Sequence, residues 1–186
     1  MITTADEAKN HIGSRLFFAV VLVAMTGGCD ARYRMLEGTV RQSGNLPCFS
    51  IEDDPDAPSV QVAAIVVSEI DASDRVTETV WTADYTLSDS PTSLSAASCI
   101  PYGADGSSPA VGPVVPVIPG RRYTVFVNAH VKVDDEWRNR RYRSHFCIEE
   151  GALSSVVVHQ VGWNKRVGER DWDACRFEAR AESVRD

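Results

Sequence analysis

The chain has 186 residues, and residues 1–28 read as a removable leader, which leaves one domain's worth of sequence. Hydrophobic residues at 44% and charged residues at 24% exclude wholesale disorder and fibrous repeats. Acidic side chains outnumber basic ones 26 to 19, and Asp6, Glu7, Lys9 and Arg15 of the leader cancel, so the mature chain keeps the net −7 and lacks the basic footprint of a nucleic-acid binder.

Leu16–Met25 is an unbroken apolar run after Arg15, too short to span a bilayer as a helix but right for the core of a secretory signal. It ends in Thr26-Gly27-Gly28-Cys29, similar to a bacterial lipobox, although Thr26 stands where Leu is usual. This predicts cleavage before Cys29 and lipidation of Cys29. The rival is an uncleaved anchor or a buried hydrophobic helix. The mature chain would then face the periplasm, at the inner membrane if Asp30 acts as a retention signal and otherwise at the outer membrane. Acidic Asp6 and Glu7 in a long leader also allow a start downstream of Met1. Residues 29–34 read as a lipidated N-terminus and short tether, 35–176 as one domain, and 177–186 as a polar, frayed tail.

From Met35 onward the pattern is strand-like. Met35–Arg41 and Leu46–Ile51 are short candidates separated by Ser43-Gly44-Asn45. Val60–Ile70 is nearly all apolar, as for a strand buried on both faces. Arg75–Trp81 and Leu153–Trp163 are further candidates. Asp84–Ser98 and Gly103–Pro113 read as surface loops. No long segment shows a 3.6-residue period. The expected fold is therefore all-β: an antiparallel, immunoglobulin-like sandwich of seven or eight strands.

Arg122–Val133 alternates cleanly, with Tyr123, Val125, Val127, Ala129, Val131 and Val133 on one face. If Asp134-Asp135 is a two-residue turn, Tyr123 faces Phe146, Val125 faces Ser144 and Val127 faces Tyr142, a credible core face. The other face pairs Phe126 with Arg143, Asn128 with Arg141, His130 with Asn139 and Lys132 with Trp137. Phe126, Asn128, His130, Trp137, Arg141 and Arg143 are the candidate partner-binding residues. The competing reading is structural: these aromatics and arginine stems pack under a C-terminal strap. Cys147 points to this side, so its disulfide partner must approach over it. Trp163–Cys175 is a segment able to do so, laying Trp163 and Trp172 across the sheet. A one-residue slip would exchange the two faces.

Apart from Cys29, the chain has Cys48, Cys99, Cys147 and Cys175, an even set that reads as two disulfides in an exported protein. Three connectivities are open, and Cys48–Cys99 with Cys147–Cys175 is favoured. The spacings do not suit zinc. His130, His145 and His159 stand isolated in strand-like segments. The acids at Glu52–Asp56 form a solvated turn or, less in keeping with it, a calcium loop. With no nucleophile elbow, zinc-binding helix motif, phosphate loop or dinucleotide motif, the residues give no catalytic site, cofactor, metal or small-molecule substrate. An enzyme is the minority reading.

Several segments taken together carry a resemblance. After the lipobox-like end come Glu37-Gly38-Thr39-Val40 and Leu46-Pro47-Cys48-Phe49-Ser50, then Cys99-Ile100-Pro101-Tyr102-Gly103 and Pro119-Gly120-Arg121-Arg122-Tyr123. Asn128-Ala129, Trp137, Asn139-Arg140-Arg141-Tyr142 and Phe146-Cys147 follow. Val158-His159-Gln160-Val161, Trp163-Asn164-Lys165-Arg166, Trp172 and Cys175 close the series. From Arg32 to Cys175 this order resembles small periplasmic lipoproteins assigned to type VI secretion immunity. The serine-rich stretch Ser88–Ser98 and the tail after Cys175 depart from it. The resemblance implies a membrane-anchored protein that binds a cognate effector toxin and neutralises it by occlusion, without chemistry of its own. The rival is an accessory envelope lipoprotein with no toxin partner. A small enzyme or carrier would need a pocket of a few hundred cubic ångströms with converging polar groups.

Overall fold

β-Branched and aromatic residues at alternating positions make most of the domain into strands, because such side chains suit a pleated, half-buried surface. A computed structural model describes residues 35–52, 55, 57–86, 90–106, 114–151 and 155–175. The chain divides into units 1–33 and 34–186, and the described residues all belong to the second. The leader, Cys29 and Asp30, and the tail 177–186 lie outside them, as do Asp53, Asp54 and Asp56 of the acidic turn.

The fold is all-β. Its strands are β1 (Met35–Ser43), β2 (Leu46–Ile51), β3 (Ser59–Ile70), β4 (Val76–Asp84), β5 (Ser93–Ser95), β6 (Ile100–Pro101), β7 (Arg122–Val133), β8 (Glu136–Glu150), β9 (Val156–Val161), β10 (Trp163–Asn164) and β11 (Glu169–Arg170). Nine form one curled sheet in the order β4-β3-β7-β8-β1-β2-β6, with β5 on β3 and β9 on β8; β10 and β11 form a separate ribbon. The Asp84–Ser98 stretch, expected to be loop throughout, thus contributes β5 against Ser59–Gln61.

β8 is the branch point. β7 pairs with it from Glu136 to Cys147, while its other edge is shared between β1 at Arg141–Arg143 and β9 at His145–Glu150. The β1–β8 pairing is parallel, so the sheet is mixed where alternation alone led to an antiparallel reading. Beyond Glu37, β1 leaves β8 and pairs with β2 over Gly38–Ser43. A Cβ on Gly38 would lie 3.0 Å from Ser144 Oγ and 3.3 Å from the Ser50 carbonyl oxygen, so a side chain fits poorly where the layers meet.

The curl lays β2 over the inner face of β4, β7 and β8. Phe49 of β2 stacks on Trp81 of β4 at 5.9 Å and tilts against Phe146 of β8 at 5.8 Å. Phe146 in turn stacks on Tyr123 at 5.3 Å, and Trp81 meets Tyr102 at 5.3 Å. Burying each ring stabilises the fold by about 2–3 kcal/mol. Tyr102 keeps its hydroxyl satisfied by donating to the Val80 and Val115 carbonyls, and Tyr123 accepts from the Ile118 amide at 2.8 Å. Cys48 pairs with Cys99 and Cys147 with Cys175. The first disulfide ties β2 to the residue before β6; the second fastens the C-terminal strap to β8.

Candidate functional site

The β7–β8 hairpin pairs as the alternation predicts: Tyr123 opposite Phe146, Val125 opposite Ser144, Val127 opposite Tyr142, and Val133 opposite Glu136. The turn residues Asp134 and Asp135 take φ of 51° and 64°, the left-handed pair that a two-residue hairpin turn requires. Tyr123, Val125, Val127, Ala129 and Val131 are buried.

The outer face carries the six candidate residues in successive rungs. Phe126 sits beside Arg143, Asn128 beside Arg141, and His130 beside Asn139; one rung further, Lys132 sits beside Trp137. β3 extends the surface, placing Val66 next to Phe126 and Ala64 next to Asn128. On the other side Glu37 and Met35 of β1 face Arg143 and Arg141. Phe126, Asn128, His130 and Arg141 are half-buried, whereas Arg143 and Trp137 are exposed, Trp137 at 56%. Lys132 is held by Asp135 at 2.8 Å.

The strap Trp163–Cys175 crosses the other end of this face. Cys147, Val161 and Cys175 form a small second core with Trp172 against it. Trp172 meets the His145 ring edge-on at 6.2 Å, and the Arg122 guanidinium lies 4.7 Å from its centroid. The structural reading therefore holds for Arg122, His145 and Cys147, which lie two to four residues along their strands from Phe126 and Arg143. Trp163 departs from expectation. It is 54% exposed and does not lie across the sheet, because β10 and β11 turn it outward toward Arg170, 5.7 Å from its ring.

Electrostatics under the strap are strongly perturbed. Burial pushes the His145 pKa down to about 3, with Arg170 and Arg143 adding to the shift, so the ring is neutral. Burial raises the Glu37 carboxyl above its usual range against the pull of Arg170. Burial also lowers the Arg170 pKa, with Glu37 and Asp74 opposing that shift. Arg170 Nε lies 3.7 Å from Asp74 Oδ2, linking the strap to the β3–β4 turn.

Between that turn and the strap is a cleft of about 670 Å³, whose lining includes Asp74, Arg122, Trp163, Glu169, Arg170 and Asp171. Sequence reasoning did not find it, because its two walls lie some ninety residues apart and neither carries a motif; the nearest signal was the Trp163–Trp172 spacing. Elsewhere, His159 pairs with Glu149 at 2.8 Å on neighbouring strands; the register sets it opposite Cys147, one rung from His145 on the same face, and far from His130. Among the described residues no group of His, Cys, Asp and Glu is placed to hold a metal, and no helix is long and apolar enough to cross a membrane. No family model, curated protein or solved structure matches the chain.

Proposed function

We propose that the chain is a periplasmic immunity lipoprotein, anchored through lipid on Cys29, that binds a cognate type VI secretion toxin and neutralises it by occlusion. The observation that carries the reading is the outer face of the β7–β8 hairpin, where Phe126, Asn128, His130, Arg141 and Arg143 occupy consecutive rungs, with Trp137 at the exposed end. A continuous sheet braced by two disulfides presents such groups with little freedom left to lose on binding. Aromatic and arginine side chains are the types that dominate protein interfaces. The series of segments from Glu37 to Cys175 that resembles immunity lipoproteins supports the same role, and lipid anchorage would concentrate the inhibitor at the membrane.

The test is a protection assay. The product of the adjacent gene is exported to the periplasm of a test strain, with and without this protein, and survivors are counted. Protection by the wild type and its loss in a Phe126→Ala, Arg143→Glu double variant that still folds is the expected result. Equal killing with and without the wild-type protein rejects the proposal for that partner and favours the accessory-lipoprotein alternative. The cleft beside the strap favours a second reading, a small-molecule carrier, since its volume lies in the range of ligand pockets.

A further inference from the structure

The cleft between the β3–β4 turn and the strap has a chemistry of its own, separate from the hairpin face. Asp74 reaches it from the turn; Trp163, Val167, Glu169, Asp171 and Asp173 line it from the strap. Four carboxylates thus face two guanidiniums, Arg122 and Arg170. Arg122 lies over the Trp172 ring, and Arg170 lies beside Trp163 with its Nε 3.7 Å from Asp74 Oδ2, an ion pair too long for a hydrogen bond. Asp74, Glu169, Asp171 and Asp173 are all exposed. Exposed apolar surface lines the same cleft, with Trp163 at 54% and Val167 at 67%. Large apolar side chains left in water around a concave site mark a binding surface more often than chance. A ligand matching this cleft has an apolar stem to lie on Trp163 and Val167 and a positive head to reach the carboxylates.

We infer that this cleft receives an arginine or lysine side chain from a basic segment of a protein partner. An indole face attracts a guanidinium or ammonium, and the carboxylates supply charge-assisted hydrogen bonds to its head. The net −7 of the whole chain steers a basic partner toward it. The site extends beyond the hairpin face and does not depend on the partner being a toxin.

The experiment uses the full chain and a blocked tetrapeptide of sequence glycine-arginine-arginine-glycine, followed by the Trp163 indole N–H resonance and intrinsic fluorescence. The expected result is a saturable shift of Trp163 that weakens with added salt and vanishes when both arginines are replaced by glutamine. Trp163→Ala and Asp171→Asn should each weaken binding about fivefold or more. An unmoved Trp163, or an equal response to the glutamine peptide, overturns the inference. Spermidine or a neutral chitooligosaccharide binding the cleft at least as tightly as the peptide also overturns it, in favour of a small-molecule site. Wild-type protection without peptide binding would sink this inference and leave the immunity reading standing; peptide binding without protection would do the reverse.

Discussion

Gln160 and Gln42 bridge β9 and β1 in opposite directions. The Gln160 amide accepts from the Val40 backbone N–H at 2.8 Å and donates to the Gly38 carbonyl at 3.2 Å. Gln42 donates to the Val156 carbonyl at 2.7 Å and accepts from the Val158 N–H at 3.3 Å. β1 leaves β8 after Glu37 and β9 takes over that edge, so the two strands face each other with no backbone ladder between them. Each glutamine side chain, whose amide ends in an NH2 donor and a carbonyl acceptor, stands in for a missing peptide pair; the second hydrogen of Gln42 goes to the Gly44 carbonyl.

Gln160→Ala should therefore cost about 1–3 kcal/mol, because it strands the amide of buried Val40. Gln42 bonds in a more solvated setting, and Gln42→Ala should cost well under half as much. Urea unfolding of both variants decides the point; equal losses would show that the Val40 amide finds another partner.

The two disulfides should differ in what they hold. Replacing Cys48 and Cys99 with alanine opens a link across 51 residues that includes buried Cys48, and should cost about 4 kcal/mol with broad loss of the core. Replacing Cys147 and Cys175 opens one across 28 residues at the chain's end and should cost about 3.5 kcal/mol. Its structural effect should be local: hydrogen exchange rises in the strap and at His145, while Tyr123 and Phe146 stay packed. Uniform loosening of both layers would contradict this division.

His145 makes the fold sensitive to mild acid. Its folded pKa of about 3 lies below the ordinary histidine value of 6.5, so between these values the unfolded chain binds a proton that the folded chain does not. Stability should fall as pH drops below about 6.5, with a slope of up to about 1.4 kcal/mol per unit from this one group. Glu37 acts with the opposite sign: its folded pKa is raised, so protonation favours the fold as pH falls toward 4.5. Unfolding measured from pH 7 to 5 tests the histidine, and His145→Gln should flatten that segment of the curve. An unchanged slope would mean that the ring is protonated in the fold at little cost.

The Asp134-Asp135 turn is suboptimal, since both residues adopt positive φ without being glycine or asparagine. Asp134→Asn with Asp135→Gly should raise stability by about 1 kcal/mol, even after the exposed Lys132–Asp135 pair is lost. A lower midpoint in urea would argue that this ion pair contributes more than surface pairs usually do.

Trp137 offers a separate probe of the hairpin face. It is 56% exposed, so Trp137→Ala should change stability by no more than about 0.5 kcal/mol. Under the proposed role it should nonetheless reduce protection in the survival assay. Full protection by a folded Trp137→Ala protein would move the contact surface away from the outer end of the hairpin.

The sequence alone determined the β7–β8 register, the identity of both its faces and the limits of β2 and β7. A two-residue alternation joined by a two-residue turn leaves one pairing that buries Tyr123, Val125 and Val127 together, and a one-residue slip would expose them all. The side from which Cys147 must be approached followed from the same alternation, and Cys175 meets it there. Only the tertiary structure decided that β1 pairs in parallel with β8 and then passes to β2, that two glutamines bridge the resulting gap, and that Trp163 turns outward. It also decided that the Asp71–Arg75 turn stands beside the strap to make a cleft. These are pairings between segments far apart in the chain. They depend on how the curled sheet closes and which edges it leaves open, and a pattern that repeats every two residues records which face a side chain takes but not which strand lies next to it.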